Sequence, residues 1–351
     1  MRRDGVLKAV RRAAEVLEEF SIRARIKEGY TRVDPAQLAC AADVTVMFRP
    51  LDKLLGGFLR ESDQAGIIVN ILRPRGLVHM TCAHELGHFF LGHESTTDET
   101  VNIGTNSDPI EQQANQFAYS ILAPRWLVVA NMNLKGWTKS HLGDPSIVYQ
   151  LSLRLGMSFE AMVWSLARLQ FVSQSSAQQI LANKPKALKL NALKNQDEFS
   201  RVPGDVWVLD IHDKDRIIEP APTDRFVVDL PNHASAGHLW TVDELRCEGF
   251  TLEPFVQEAR TVTRKDRSSI VVGGRGSDTL RYELVPVVDA DGSGAGEAHR
   301  RTLIAMHETA PWSSSSESYE ALSFSAEVDD LNEGLSRYER IQRLQRVRGL
   351  G

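Results

Sequence analysis

The chain has 351 residues, 42% of them apolar and 25% charged, with a formal net charge of -5 and a mean hydropathy of -0.25. Length and apolar content suffice for more than one buried core, so two domains are expected, and the negative balance argues against a general nucleic-acid surface. No apolar run approaches the roughly 18 residues of a membrane span, the start Met1-Arg2-Arg3-Asp4 has no signal-peptide core, and Cys40, Cys82 and Cys247 are sparse and scattered like reduced packing thiols, so a cytoplasmic location is expected.

From the amino terminus, the pattern predicts an amphipathic helix from Leu7 to about Lys27, a short helix from Pro35 to Ala42, and strands at Val44 to Phe48 and Ile67 to Leu72. The segment from Met80 to Leu91 then carries the pentad His84-Glu85-Leu86-Gly87-His88. Residues four apart share a helix face, so His84 and His88 can offer imidazole nitrogens to one Zn²⁺ at about 2.0–2.1 Å. Glu85 stands one step round, beside the metal, where it can act as the base that takes a proton from activated water. Ala83, Leu86, Phe89, Phe90 and Leu91 mark the helix as mostly buried, where two histidines and a carboxylate are costly unless ligated or paired.

A catalytic zinc needs a third protein ligand and an open position. Glu111 is the best candidate, at the head of a predicted helix that starts at Asp108-Pro109 and stops at Pro124, with Ala114, Phe117, Ala118, Ile121 and Leu122 as its apolar stripe. Asn115 shares a face with Glu111 and can hydrogen-bond a ligand histidine to fix its tautomer. His93, five residues after His88 and past Gly92, is the rival ligand, but a capping or outer supporting role suits its spacing better. Tyr119 and His93 are the candidates for stabilising an oxyanion.

From about Asp34 to Gln170 the sequence resembles the ImmA/IrrE family of zinc metallopeptidases. The likeness rests on Asp34-Pro35, the strand Ile67-Ile68-Val69-Asn70, Thr81-x-Ala83-His84-Glu85-Leu86-Gly87-His88, the run Glu111-x-x-Ala114-Asn115-x-Phe117-Ala118 ending at Ala123-Pro124, and Leu155-Gly156-Met157-Ser158. The resemblance implies one zinc per chain on His84, His88 and Glu111, with Glu85 as catalytic base. It also implies a protein substrate, typically a transcriptional repressor or antitoxin-like regulator cut in stress or mobile-element responses.

Ser146 to Leu155 and Phe159 to Leu169 predict two further helices in the outline of a helix-turn-helix. The second opens with Ser158, Phe159, Glu160, Ala161 and Met162 and has Arg168 as its one basic residue, so no direct nucleic-acid contact is expected. The polar, lysine-bearing stretch from Gln174 to Arg201 reads as a linker or connecting helix. Beyond it the period becomes two, and Val206 to Leu209, Arg225 to Leu230, Ser269 to Val272, Thr279 to Leu284 and Arg301 to Ala305 predict the strands of a β-sandwich.

This second half resembles the chagasin family, immunoglobulin-like inhibitors of papain-type cysteine peptidases. The matching segments are Leu230-Pro231 followed by His233 to Trp240 with Gly237, then Gly273-Gly274-Arg275-Gly276, then Ala310-Pro311-Trp312. In that family three such loops plug a peptidase cleft, which makes Gly237, Trp240, Gly273, Gly274, Pro311 and Trp312 the candidate binding-loop residues, facing a cysteine peptidase or a regulatory partner. The residues at the tips, Ala236, His238 and Ala310, depart from the inhibitory pattern. Trp240 and Trp312 read equally well as ordinary core. Gly273 to Gly276 precedes a strand, not the helix that a phosphate loop needs, and Arg300 stands where a calcium loop beginning at Asp289 would need a glutamate.

The expected architecture is therefore an α+β zincin-like domain over 1–175, a linker over 176–202, an all-β immunoglobulin-like, chagasin-like sandwich over 203–328, and an amphipathic helix over 329–351 packed on the sandwich. The expected function is a zinc endopeptidase acting on a regulatory protein, the sandwich docking a partner or substrate or regulating the zinc site. Two alternatives remain: a protein-binding or peptidase-inhibitor module with a structural or weakly active zinc site, and a transcription regulator acting through the helices of Ser146 to Leu169.

Overall fold

A computed structural model describes residues 2–61, 64–94, 96–98, 108–193, 204–233, 237–242, 250–254, 279–286, 301–310, 320–329 and 331–347. The chain divides into two units, one formed by Met1–Leu188 with Leu331–Gly351 and the other by Lys189–Asp330.

The first unit begins with α1 (Arg2–Glu19) and α2 (Ile22–Lys27). The single long helix predicted there is broken because Ser21 takes a left-handed conformation, with φ 51°. α3 (Pro35–Ala41) starts where its sequence says it should: the Asp34 side chain accepts from the Ala36 and Gln37 amides at 3.0 and 3.3 Å. Next come β1 (Val44–Arg49), β2 (Gly56–Glu61), β3 (Gln64–Asn70), α4 (Arg75–Leu91) and β4 (Thr96–Asp98). Helices α5 (Pro109–Leu122), α6 (Arg125–Leu134), α7 (Pro145–Arg154), α8 (Phe159–Arg168) and α9 (Gln174–Leu181) follow.

The sheet of this unit has the order β13-β1-β3-β2-β4, where β13 (Gly334–Leu335) comes from the far end of the chain. β1 and β3 run parallel, and the other neighbours are antiparallel. Under the sheet lies an apolar core that includes Phe58, Ile67, Leu86, Phe117 and Leu122, each almost fully buried and each contributing about 1.5–3 kcal/mol by leaving water.

Two expected boundaries change. The stretch read as a linker or connecting helix, 176–202, carries the end of α9 and all of α10 (Pro185–Leu193): Ala177 and Ile180 of α9 and Leu188 of α10 are buried in the first unit's core, an apolar spacing masked by the polar residues between them. The terminal helix α11 (Arg337–Val347), expected to pack with the second half, is grouped with the first unit and contacts α3. Tyr338 donates its hydroxyl to Asp34 Oδ2 at 2.7 Å, and Cys40 Sγ lies 3.8 Å from Glu339 Oε2.

The second unit holds two four-stranded sheets. One has the order β5-β7-β10-β9, built from Val206–Asp210, Arg225–Pro231, Thr279–Pro286 and Phe250–Pro254. The other has the order β6-β12-β11-β8, built from Ile217–Ile218, Glu320–Glu327, Arg301–Thr309 and Leu239–Val242. Cross-strand partners Asp229 and Arg281 form an ion pair between β7 and β10. The strand predicted at Ser269 to Val272 lies outside the described residues.

Candidate metal centre

Helix α4 is buried along most of its length, and its end is set by Gly92, whose φ of 75° is left-handed. That turn sends the His93 amide back to the His88 carbonyl at 2.9 Å. It also folds the His93 ring onto the ligand helix. Helix α5 crosses α4 at close range because a Cβ on Gly87 would meet the Ala114 Cα and carbonyl oxygen at 3.0 Å. Gly87 lies one turn from His84, and Ala114 one turn from Glu111, so the close crossing brings the head of α5 against the ligand face of α4. Asp108 caps α5 by accepting from the Ile110 amide at 3.0 Å.

The result is a compact donor set. The Nε2 atoms of His84 and His88 are 3.1 Å apart, and the Glu111 carboxylate reaches them at 3.2 and 3.5 Å. Ligand atoms bound at about 2.0–2.1 Å to a tetrahedral zinc would stand about 3.3 Å from one another, so this spacing fits such an ion. The protonation pattern agrees. His84 Nδ1 lies 3.1 Å from Asn115 Oδ1, an acceptor that favours the tautomer with the proton on Nδ1 and the Nε2 lone pair facing inward. His88 Nδ1 lies 3.1 Å from His93 Nδ1. Burial, seconded by Lys8, lowers the His93 pKa and favours its neutral form, which can accept the His88 proton. His93 thus touches His88, while His84, His88 and Glu111 form the cluster able to hold a metal.

Glu85 is fully buried on the same helix. Strand β2 passes over it at Gly56, where a Cβ would meet Thr81 Cγ2 at 2.5 Å, the Ile68 carbonyl at 2.9 Å and Glu85 Oε1 at 3.2 Å. Sequence reasoning missed β2 and Gly56, although Gly56-Gly57 ahead of Phe58-Leu59 is the signal of a strand that something approaches closely. Tyr119 is eight residues beyond Glu111, about 12 Å along the helix axis, and its ring lies 3.6 Å beneath the Arg168 guanidinium. It does not belong to the cluster. Cys82 is buried beside the pentad, and burial, with Asp34 and Glu85 adding to it, holds its thiol pKa well above normal; Cys40 is pushed up to about 11, chiefly by burial and then by Glu339. Both stay protonated packing thiols near neutral pH, and Cys247 lies outside the described residues.

The turn between α7 and α8 is pressed against the start of α4. A Cβ on Gly76 would meet the Ser158 amide nitrogen at 2.3 Å, and His79 Nδ1 lies 2.9 Å from the Gly156 carbonyl. Phe159, Ala161, Met162 and Val163 of α8 are buried in the core, so the face that a groove-reading helix would present is used for packing.

The span from β1 to α8, with this donor set inside it, decides the family comparison. Residues 39–166 match the IrrE N-terminal-like domain of the M78 peptidases. The IrrE-like span contains His84, Glu85, His88, Glu111 and Asn115. No curated protein matches the chain. Among solved structures, the cysteine protease inhibitor EhICP2 from Entamoeba histolytica matches over 35% of this chain and 95% of its own, at 13% identity and a TM-score of 0.25, which is too slight a likeness to define the fold of the second unit.

Of the expected loop residues in that unit, Gly237 has a φ of 83° and Trp240 is buried, its indole donating to the Pro231 carbonyl at 3.0 Å. Gly273, Gly274, Pro311 and Trp312 lie outside the described residues. No helix among the described residues is long and apolar enough to cross a membrane.

Proposed function

We propose that the chain is a zinc endopeptidase of the IrrE type, with His84, His88 and Glu111 as zinc ligands, Glu85 as catalytic base, and a regulatory protein such as a repressor as substrate. The observation that carries this reading is the convergence of two imidazole nitrogens and one carboxylate at 3.1–3.5 Å, with a buried glutamate next in sequence to the first histidine. When bound, zinc supplies Lewis acidity, polarising the scissile carbonyl and acidifying water.

The protein's own residues do the rest. Asn115 holds the His84 ring with its Nε2 lone pair inward, and His93 does the same for His88. Glu85 takes a proton from the attacking water as its oxygen bonds to the carbonyl carbon, then delivers that proton to the amide nitrogen as the C–N bond breaks. Glu111, partly exposed at 26%, leaves the ligand set open to solvent on one side, as a catalytic rather than a closed structural site requires. The second unit docks the substrate or a partner through the loops near Gly237, or regulates the zinc site.

Metal analysis together with a cleavage assay tests the assignment. The purified chain should hold about one zinc, and Glu85→Gln should keep it while cleaving a co-expressed regulator about 10³-fold more slowly. Glu111→Ala should lose most of the metal, and His93→Ala should retain most of it. Full cleavage by Glu85→Gln, or metal lost with His93 but kept without Glu111, sinks the assignment.

A further inference from the structure

A cleft of about 740 Å³ opens between α1, α2, α5, α6 and α8, and none of His84, His88 and Glu111 lines it. Its apolar surface comes from Leu17, Ala123, Pro124, Trp126 and Val129. Three arginines stand along it, each placed over an aromatic ring: Arg23 4.3 Å from the centre of Trp126, Arg125 4.6 Å from Phe171 and Arg168 3.6 Å from Tyr119.

A guanidinium held over a ring keeps its in-plane N–H groups free to fork onto an anion. Arg125 spends one donor on the Leu169 carbonyl at 2.6 Å, and Arg168 one on the Ser165 hydroxyl at 3.4 Å. Among the described residues none of the three forms an ion pair, although Glu18 also lines the cleft. Beneath Arg168, the Tyr119 hydroxyl is buried with no hydrogen-bond partner among the described residues, a second mark of polar capacity that the fold itself does not use.

We infer that this cleft is a binding site for a small amphipathic anion, an apolar body carrying one carboxylate or phosphate head. The volume falls in the ~300–1,000 Å³ range of small-molecule sites, the apolar walls take the body, and the unpaired guanidiniums take the head through charge-assisted bonds. A peptide of alternating charge would find no basic-acidic pattern here, since three cations face one carboxylate. The site also shares a helix with the metal cluster. α5 presents Glu111 and Asn115 at its head and lines the cleft with Gln116, Tyr119, Ser120 and Ala123 further on. The inference stands whether or not the metal cluster cleaves peptides.

The test is calorimetric titration of the full chain, metal-loaded and metal-free, with octanoate and hexyl phosphate as probes and octanol and octylamine as neutral and cationic counterparts. At least one anion should bind saturably, one per chain, about tenfold or more tighter than octanol, and the tighter of the two identifies the head group. Arg125→Gln and Arg168→Gln should each weaken that binding about tenfold. Ala14→Trp, a change at an exposed residue of the rim, should block the cleft without disturbing the core, and Lys53→Gln, exposed and outside the lining, should change nothing. Failure of both anions to bind, equal binding of octanol, or undiminished binding by an Ala14→Trp protein whose circular dichroism is unchanged would each overturn the inference.

Discussion

In the first unit, His84 and His88 turn two Nε2 atoms toward each other and toward a partly exposed Glu111; in the second, His233 places one Nδ1 at 2.8 and 3.0 Å from the two oxygens of Glu308, a carboxylate with no exposure. Both clusters bury a histidine–carboxylate contact, yet their chemistry differs. The second closes on itself as one donor shared by two acceptors. The first gathers two imidazole nitrogens, whose other ring nitrogens face Asn115 and His93, together with the partly exposed Glu111 carboxylate. What suits a cluster to a metal is convergence of unprotonated donors, not the presence of histidine beside carboxylate.

The comparison breaks first at the ligands themselves. His84→Ala with His88→Ala should abolish metal binding and the thermal stabilisation that metal gives, an effect of about 4 kcal/mol at a free concentration a thousand times Kd. Scanning calorimetry with and without zinc reads this, and an unchanged metal-dependent shift in the double variant would refute the shared site. Next is Gly87→Ala, whose new methyl meets Ala114 backbone at 3.0 Å and must push α5 away. It should cost about 2 kcal/mol of stability and also weaken zinc binding, because Glu111 moves with α5.

In the second unit, His233→Ala leaves Glu308 buried without that partner and should destabilise by about 1–2 kcal/mol in urea unfolding, with zinc content unchanged. Loss of zinc in that variant would mean the two clusters are not independent. The smallest effect sharpens the first cluster. The His93 pKa lies below 6.5 in the folded chain, so in the window beneath 6.5 the unfolded chain binds more protons, and this contribution to stability is full above that pH and lost as pH falls. In chelated protein, His93→Gln should make stability less steeply dependent on pH below about 6.5.

How legible was this in the chain? The ligand helices were, because the apolar stripe of α5, its Asp108-Pro109 start and its Ala123-Pro124 stop are local signals, and the structure places the helix at Pro109–Leu122. The strands at Val44, Ile67, Val206, Arg225, Thr279 and Arg301 were also readable from apolar content and turn residues. What escaped reading depends on distance in sequence. Gly87 looks like any helical glycine until Ala114 stands against it, and His93 looks displaced until Gly92 turns it back. That a connecting helix there packs into the first unit's core was hidden, because two glutamines separate the buried Ala177 and Ile180 and serines precede them. The pairing of β13 with β1 joins residues nearly three hundred apart, and nothing in Gly334-Leu335 announces its partner.

That last pairing changes what a cut in the chain would mean. Met47 and Phe48 pair with Leu335 and Gly334, and Tyr338 is tied to Asp34, so the first unit is sewn shut by residues translated after the second. The second unit is a cassette inserted in sequence between two segments of the first. A single nick within 243–278 would leave two fragments that migrate apart under denaturing conditions and together under native ones. Truncation after residue 188 would strip the outer edge of β1 and expose its unpaired backbone to self-association, whereas excising 189–330 with the flanks rejoined would keep that edge covered. Ribosomal synthesis imposes the same order: the first unit can complete its sheet only after the cassette has emerged.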